Sequence, residues 1–300
     1  MLGVRIATRG QNLSVTGERE ACEATAALLQ NLLTMIRGGR TLSTADVRYA
    51  VRALQRDAAE DVQALLSEPV VITHRGKPVR ARTAGQARYV QALHESELVF
   101  AVGPAGTGKT YLAMAYAVAG LRDNRFTRIV LTRPLVEAGE NLGFLPGDIS
   151  EKVDPYLRPL HDALHDIMGA DRFRRHLERR TIEVVPLAYM RGRTLNDSFI
   201  VLDEAQNTTA GQMKMFLTRM GFGSRMVITG DVTQTDLPAT QISGLRHAQE
   251  ILSTVSGVRF CQLTGADIVR HDLVQRIVEA YERAGDRSEG RSENRAEGRS

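Results

Sequence analysis

Short apolar runs alternate with helix-like stretches through most of the chain. The runs are rich in aliphatic and β-branched residues and have the length of buried strands. They lie at residues 98–102, 128–132, 182–186, 199–202, 225–229 and 258–263. Strands that alternate with helices favour a parallel sheet covered by helices on both faces, so the pattern predicts one α/β domain over residues 85–284.

Residues 1–67 have a different pattern, which predicts a small α+β domain. Residues 4–7 and 13–16 alternate like two short strands separated by a polar turn. Residues 18–37 follow with helical spacing, and a second helix is expected from the capping sequence at 43–46 to about residue 66. The first helix should present one apolar face, formed by Ala21, Ala24, Thr25, Leu28, Leu29, Leu32 and Ile36.

A basic connector over residues 68–84 separates the two units. Its apolar segments at 70–73 and 78–81 have the spacing of a short hairpin. No acidic residue lies between Glu68 and Glu95, whereas five basic residues fall there: Arg75, Lys77, Arg80, Arg82 and Arg88. Such a stretch either follows a nucleic-acid phosphate backbone or is a solvated linker, and the sequence leaves both interpretations open.

Composition narrows the class of protein. With 300 residues and 43% hydrophobic content, the chain can form one substantial core and a smaller unit. The net charge of +4 is modest and alone says little about nucleic acid. We find no membrane-spanning run and no signal peptide, and Cys22 and Cys261 are far apart, so we expect a reducing, cytoplasmic location. Residues 285–300 lack large apolar side chains and are predicted to be disordered.

Candidate chemistry begins at residues 103–110, which fit the phosphate-binding pattern G-x-x-x-x-G-K-[ST]. A predicted strand precedes the loop and an alanine-rich helix follows it, so backbone N–H groups and the helix N-terminus would face nucleotide phosphates. Lys109 would reach the β- and γ-phosphates, and Thr110 would offer its hydroxyl to Mg²⁺. The nucleotide-binding residues predicted here are Gly103, Pro104, Ala105, Gly106, Thr107, Gly108, Lys109, Thr110 and Tyr111.

Two further strands end in polar side chains that suit nucleotide hydrolysis. The run 199–202 ends in Asp203 and Glu204, of which the first would hold the Mg²⁺ shell and the second would polarise the attacking water. The run 225–229 leads to Gln234, which could bond a γ-phosphate or its water. The carboxyl ends of parallel strands are where such sheets bind ligands.

Gln86 is a candidate for base recognition. Its amide matches the donor and acceptor edge of adenine, and it precedes the phosphate loop. The alternative interpretation is that Thr83 caps a helix and Gln86 is a surface residue.

These stretches, taken in order, resemble the PhoH-like ATPases, which are related to the core of superfamily 1 helicases. Besides the phosphate loop, the resemblance rests on residues 131–134 (LTRP), 140–148 (ENLGFLPGD), 189–193 (YMRGR), 202–207 (LDEAQN) and 229–234 (TGDVTQ). It implies a RecA-like P-loop NTPase fold, Mg²⁺-dependent ATP hydrolysis and a link to RNA, plausibly rRNA maturation alongside an endoribonuclease. Residues 1–67 resemble a KH-type RNA-binding module, although Gly38-Gly39 only approximates the G-x-x-G loop of that module.

A single phosphate loop also bears on assembly. With one core, strand separation would need subunits side by side, so a homo-oligomer, such as a ring, is expected. A neighbour would then supply an arginine finger, for which Arg270 is preferred and Arg246 and Arg133 are alternatives. The competing functional hypothesis is a slow nucleotide-dependent switch or scaffold for a partner endoribonuclease; a small-molecule kinase lacks support because no lid or acceptor motif is evident.

Overall fold

The computed structural model describes residues 3–10, 12–38, 44–55, 67–135, 149–238 and 240–269, together with Leu42 and residues 273, 274, 277, 280 and 281. The predicted disordered tail, the family stretch at 140–148, Arg270 and the end of the second N-terminal helix lie outside the described residues.

The N-terminal unit contains two strands and two helices. Strand β1 (Arg5–Arg9) pairs antiparallel with β2 (Asn12–Thr16), and α1 (Arg19–Arg37) and α2 (Thr44–Gln55) follow. The apolar face of α1 differs from the predicted one at its C-terminal end, because Met35 is 5% exposed and Ile36 is 53% exposed. Leu28, Leu32 and Met35 keep the three- and four-residue spacing of a helix face, and Ile36 lies one position past it.

The connector folds into a short hairpin. Strands β3 (Val71–Ile72) and β4 (Pro78–Val79) pair antiparallel, with Val71 opposite Val79. Both valines are buried in the apolar cluster that covers one face of the main sheet. The hairpin is therefore packed against the core domain.

The core domain alternates strands and helices. In chain order these are α3 (Ala84–Glu95), β5 (Leu98–Val102), α4 (Lys109–Arg122), β6 (Arg128–Arg133), α5 (Ile149–Met168), α6 (Ala170–Glu178), β7 (Ile182–Pro186), β8 (Ser198–Leu202), α7 (Ala210–Leu217), β9 (Arg225–Gly230), α8 (Gly244–Leu252) and β10 (Val258–Gln262). Short 3₁₀ turns occupy Leu187–Met190, Ala205–Asn207 and Gly265–Asp267.

Six of these strands form one parallel sheet in the order β10-β5-β9-β8-β6-β7. Each predicted core strand is present, with bounds that agree to within one residue, so the predicted α/β fold is confirmed. Alternate strand residues face two apolar layers: Val99 and Val201 pack with α3, α4 and α5, whereas Phe100 and Ile200 pack with α7 and α8. Helices therefore cover both faces, as predicted. None of the helices in the described part of the chain is long and apolar enough to cross a membrane.

The strand order decides which loops meet. Strand β9 lies between β5 and β8, with Val102 opposite Gly230 and Leu202 opposite Ile228. The carboxyl ends of these three neighbouring strands lead into the phosphate loop, into Asp203 and into Asp231. The three polar segments predicted from sequence are thus brought to one edge of the sheet.

The start of α3 is held close to the loop that follows β10. Asp267, which is buried, accepts hydrogen bonds from Thr83 Oγ1 at 2.5 Å and from Thr264 N at 2.8 Å. A Cβ on Gly85 would collide with this carboxylate. Since Asp267 is bonded on both sides, it has little room to move away.

We expect Gly85→Ala to destabilise the domain although alanine is the better helix former. Helix propensity alone would favour alanine by about 1 kcal/mol. The clash with Asp267 should outweigh this gain, for a net loss of about 1–3 kcal/mol, as for other overpacked sites. Denaturant unfolding measures the difference. Gly265→Ala is the matched control, because a Cβ there meets no atom within 4 Å; equal stability of the two variants would contradict the clash.

Candidate active site

The phosphate loop follows β5 directly and closes on Lys109. Gly106 and Gly108 have φ values of 84° and 80°, a region that side-chain-bearing residues rarely adopt. Gly103 is also required, because a Cβ there would collide with the backbone of Leu263. Lys109 is 9% exposed, and its Nζ donates to the carbonyl oxygens of Gly103 at 2.6 Å and Pro104 at 2.8 Å. The ammonium group is thus held inside the loop where phosphates are expected.

Asp203 lies between two hydroxyl groups. Its Oδ1 accepts from Thr110 Oγ1 at 2.6 Å and from Thr229 Oγ1 at 2.7 Å. Thr110 begins the helix after the phosphate loop, Asp203 follows β8, and Thr229 belongs to β9. The predicted metal residues Thr110 and Asp203 are therefore in direct contact, and Thr229 orients the carboxylate from behind.

Glu204 has a strained backbone and a fixed side chain. Its φ of 54° and ψ of 41° are in the left-handed region, which is rare for a residue with a side chain and is typical of functional sites. Oε1 accepts from Arg133 Nη2 at 2.8 Å, and Oε2 accepts from Gln206 Nε2 at 2.5 Å. Arg133 also donates to the carbonyl oxygen of Tyr156 at 2.9 Å, so helix α5 helps to position this guanidinium group.

The segment after β9 is connected to the same network. The Gln206 amide that donates to Glu204 also accepts from Asp231 N at 3.0 Å. Asp231 Oδ1 accepts from both the backbone N and the hydroxyl of Thr233, while its buried Oδ2 has no hydrogen-bond partner among the described residues. Gln234 is exposed and lines the same cavity, which is where the sequence placed it.

Two cavities meet at the phosphate loop. A cavity of about 280 Å³ is lined by Lys109, Thr110, Asp203, Glu204, Asp231 and Gln234. A second cavity of about 440 Å³ lies on the other side and is lined by Val79, Gln86, Tyr111, Val269 and the cationic residues Lys77, Arg80 and Arg82. Gly106, Gly108 and Tyr111 line both. The first has the lining expected for phosphates, and the second has room for the base and ribose.

The sequence did not reveal that the connector forms a wall of the second cavity. The sequence predicts that Lys77, Arg80 and Arg82 either contact a nucleic-acid backbone or belong to a solvated linker. In the structure all three line the nucleotide-sized cavity. The available signal was the pair of apolar segments at 70–73 and 78–81, which supply the buried Val71 and Val79.

Gln86 is buried beside the loop. Thr83 caps α3 by accepting from Gln86 N at 3.0 Å, so the capping part of the alternative interpretation holds, but Gln86 itself is 4% exposed and is not a surface residue. Its Oε1 accepts from Arg82 N, and its Nε2 donates to the Thr107 carbonyl at 3.0 Å. Gln86 therefore fixes the phosphate loop from behind, and its amide keeps one N–H for a base.

The sequence did not predict the hydrogen bond between Tyr111 and Asp166. Tyr111 OH donates to Asp166 Oδ2 at 2.6 Å, and both residues line the larger cavity. Burial, and then the bond to the Asp166 carboxylate, raise the pKa of Tyr111 well above its usual value. The hydroxyl therefore stays protonated and acts only as a donor to Asp166 at physiological pH.

The donor set at the smaller cavity suits Mg²⁺. Mg²⁺ prefers hard oxygen ligands and is commonly held by one or two protein groups together with substrate phosphates. Thr110 Oγ1 and Asp203 Oδ1 are 2.6 Å apart and lie beside the phosphate loop, so both oxygens can reach one ion. Asp231 lines the same cavity and would add a further carboxylate beside these two groups. The residues present therefore fit the predicted cofactor.

The arginine-finger candidates have separate outcomes. Arg133 belongs to its own subunit's site, because it contacts Glu204 and lies 3.9 Å from an Asp203 oxygen. The guanidinium group of Arg133 is therefore engaged with the acids of this site. Arg246 is exposed on α8, and Arg270 lies outside the described residues.

Comparison of the sequence with known proteins matches this chain to a family. A family model described as PhoH-like protein matches residues 78–282. A PhoH-like protein of Bacillus subtilis is 52% identical over 282 residues, covering 94% of this chain and 88% of that protein. Protein PhoH of Escherichia coli is 45% identical over 206 residues, covering 68% and 58% of the two chains. The solved Pif1 helicase from Candida albicans is a more distant match, with 15% identity, a TM-score of 0.35, and coverage of 66% of this chain and 42% of that one.

Thr229→Val should raise the Mg²⁺ concentration needed for activity, because Asp203 loses the hydroxyl that orients it. Loss of such a supporting bond typically costs about 10–100-fold in metal affinity or activity. A Mg²⁺ titration of nucleotide hydrolysis measures the shift. Thr229→Ser retains the hydroxyl and serves as the control. If the valine variant follows the parent titration curve, Thr229 does not support the metal site.

Proposed function

Since the chain belongs to the PhoH-like protein family, we propose that it hydrolyses ATP with Mg²⁺ and couples hydrolysis to the binding or remodelling of RNA. The observation that carries the proposal is the convergence of Lys109, Thr110, Asp203, Glu204 and Gln234 on one cavity at the carboxyl edge of the sheet. This set provides a cation for the phosphates, ligands for a metal and a carboxylate for water.

Binding would begin with the loop amides and Lys109, which offset the negative charge of the β- and γ-phosphates. Mg²⁺, which Thr110 and Asp203 would hold, would supply further neutralisation of the phosphate charge. Tyr111 and the hairpin side chains would border the base and ribose, because they line the adjoining cavity. The two cavities share the glycines of the loop, so one nucleotide could occupy both.

Glu204 would take the proton of the attacking water. The water oxygen forms a bond to the γ-phosphorus. The bond from that phosphorus to the oxygen that bridges the β- and γ-phosphates breaks, and ADP and phosphate are released. Arg133 and Gln206 each occupy one carboxylate oxygen, and each oxygen keeps another lone pair for the water. Arg133 and Gln206 would therefore orient the Glu204 carboxylate without blocking its access to the water. Gln234 would position the water from the segment after β9.

The RNA part of the proposal rests on the resemblance to the PhoH-like ATPases. It extends to rRNA maturation with a partner endoribonuclease and to a homo-oligomer in which a neighbour completes the site. The alternative is a slow nucleotide-dependent switch or scaffold for that nuclease without helicase activity. The committed internal contacts of Arg133 favour the view that any finger comes from another arginine.

Lys109→Ala should abolish ATP hydrolysis, because the phosphates lose their buried cation. Glu204→Gln should keep ATP binding and reduce turnover by about 10²–10⁴-fold, the usual contribution of a general base. Phosphate release and binding of a fluorescent ATP analogue measure the two effects. Glu250→Gln, an exposed acid on α8, is the charge-matched control for Glu204→Gln. Hydrolysis at the parent rate in Glu204→Gln would remove this residue from the mechanism.

Single-stranded RNA should accelerate phosphate release if hydrolysis is coupled to RNA. A slow switch would show the same low rate with and without RNA. Running the assay at several protein concentrations also tests assembly, because a site completed by a neighbour gives a rate per subunit that rises with association. An RNA-independent rate that is constant on dilution would favour the switch and a self-sufficient subunit.

A further inference from the structure

Helix α6 carries a row of arginines on its outer face. Arg172, Arg175 and Arg179 are spaced by three and four residues, so they lie on one side of the helix and its C-cap. All three side chains are exposed, and Arg180 follows directly. Phe173, which is buried, anchors the opposite side of the helix to the domain. The packing of α6 therefore leaves the arginine row facing solvent.

The three guanidinium groups form no close ion pair with the acids of their own helix. None of the three makes an ion pair with any residue that the structure describes, although Asp171 and Glu178 belong to the same helix. His176 lies among them, and burial lowers its pKa, with the charges of Arg179, Arg175 and Arg172 lowering it further.

The arginine row adjoins the basic hairpin. His74 N donates to the Ile167 carbonyl at 2.9 Å, and the His74 ring packs on Gly169, the residue just before α6. The same hairpin loop carries Arg75, which is exposed, and Lys77, which lines the larger cavity. Basic side chains of the hairpin therefore lie on the segment that is bonded to the start of α6.

We propose that the face of α6 formed by Arg172, Arg175 and Arg179 binds the phosphate backbone of single-stranded RNA. This inference rests on the proposed function, for which it supplies the surface that holds RNA on the core domain. Arginine suits the task because its planar fork binds phosphate oxygens in pairs. The row extends about 10 Å along the helix at the usual rise per residue, which is enough for two or three phosphates of an extended strand.

Backbone binding explains the composition of the face better than a protein partner does. Stable protein interfaces have a core of buried apolar or aromatic side chains surrounded by a polar rim. Apart from Ala170, the exposed residues of α6 are all charged. Contacts of this kind carry no sequence information, so binding should be sequence-independent and sensitive to salt.

The test compares two full-length triple variants that lose the same charge. Arg172→Gln, Arg175→Gln and Arg179→Gln together remove the row. Arg122→Gln, Lys214→Gln and Arg259→Gln together remove three exposed charges on other elements of the core domain. Binding of a fluorescent single-stranded oligouridylate is measured against salt. The row variant should show a slope of log affinity against log salt that is shallower by about 2, since each lost contact to single-stranded nucleic acid contributes about 0.7.

The slope of the control variant should differ from the parent slope by less than about 0.7, the contribution of one contact. Both variants should keep the parent ATPase rate without RNA. Equal losses in the two variants, or an unchanged slope in the row variant, would overturn the inference while leaving the ATPase proposal intact. A parent protein that binds no RNA at low salt would overturn both the inference and the RNA part of the proposed function. Loss of polyglutamate binding with RNA binding intact would assign the row to an acidic protein instead. A parent without ATPase activity would defeat the proposed function alone.

Discussion

The site depends on one constraint, the insertion of β9 between β5 and β8. This order places Thr229 beside Asp203 and brings both to the hydroxyl of Thr110 at the start of α4. A buried carboxylate is costly unless its oxygens are bonded or neutralised, and the two threonine hydroxyls meet part of that cost before any cation arrives. The candidate metal ligands are therefore positioned by the sheet itself.

A second hydrogen-bond network fixes Glu204, the candidate general base. Gln206 donates to Glu204 with one end of its amide and accepts from Asp231 N with the other. Arg133 completes the arrangement and is itself held by the Tyr156 carbonyl. The strained backbone of Glu204 persists because these bonds over-determine its position, which is the usual condition for strain at a functional site. Movement of α5 or of the loop after β9 would consequently change the position of the Glu204 side chain.

The sequence predicted the sheet and the phosphate edge well, because both depend on local patterns. Short apolar runs specify buried strands, and the glycines of the loop specify backbone that only glycine adopts easily. Contacts between distant segments were harder to foresee. The pair of Tyr111 with Asp166 and the inward commitment of Arg133 depend on how α5 packs on α4 and β6, which no local pattern encodes. The apolar face of α1 shows the same limit. The sequence predicts that Ile36 is buried, but Met35 is buried instead, because tertiary packing decides which of two adjacent apolar residues faces the core.

The hairpin contacts two parts of the core domain, the larger cavity and the segment that precedes α6. Its inner side is apolar, and Val71 and Val79 fix it to the core next to α4 and α5. Its polar side reaches the larger cavity through Lys77, and its turn is bonded to the junction that precedes the arginine row of α6. The Asp166 carbonyl lies 3.1 Å from His74 Nδ1 while the Asp166 carboxylate holds Tyr111 OH, so this aspartate contacts both the turn and a residue of the nucleotide cavity. A ligand that displaced the turn would alter the wall of the nucleotide cavity through bonded neighbours, without any change in the sheet.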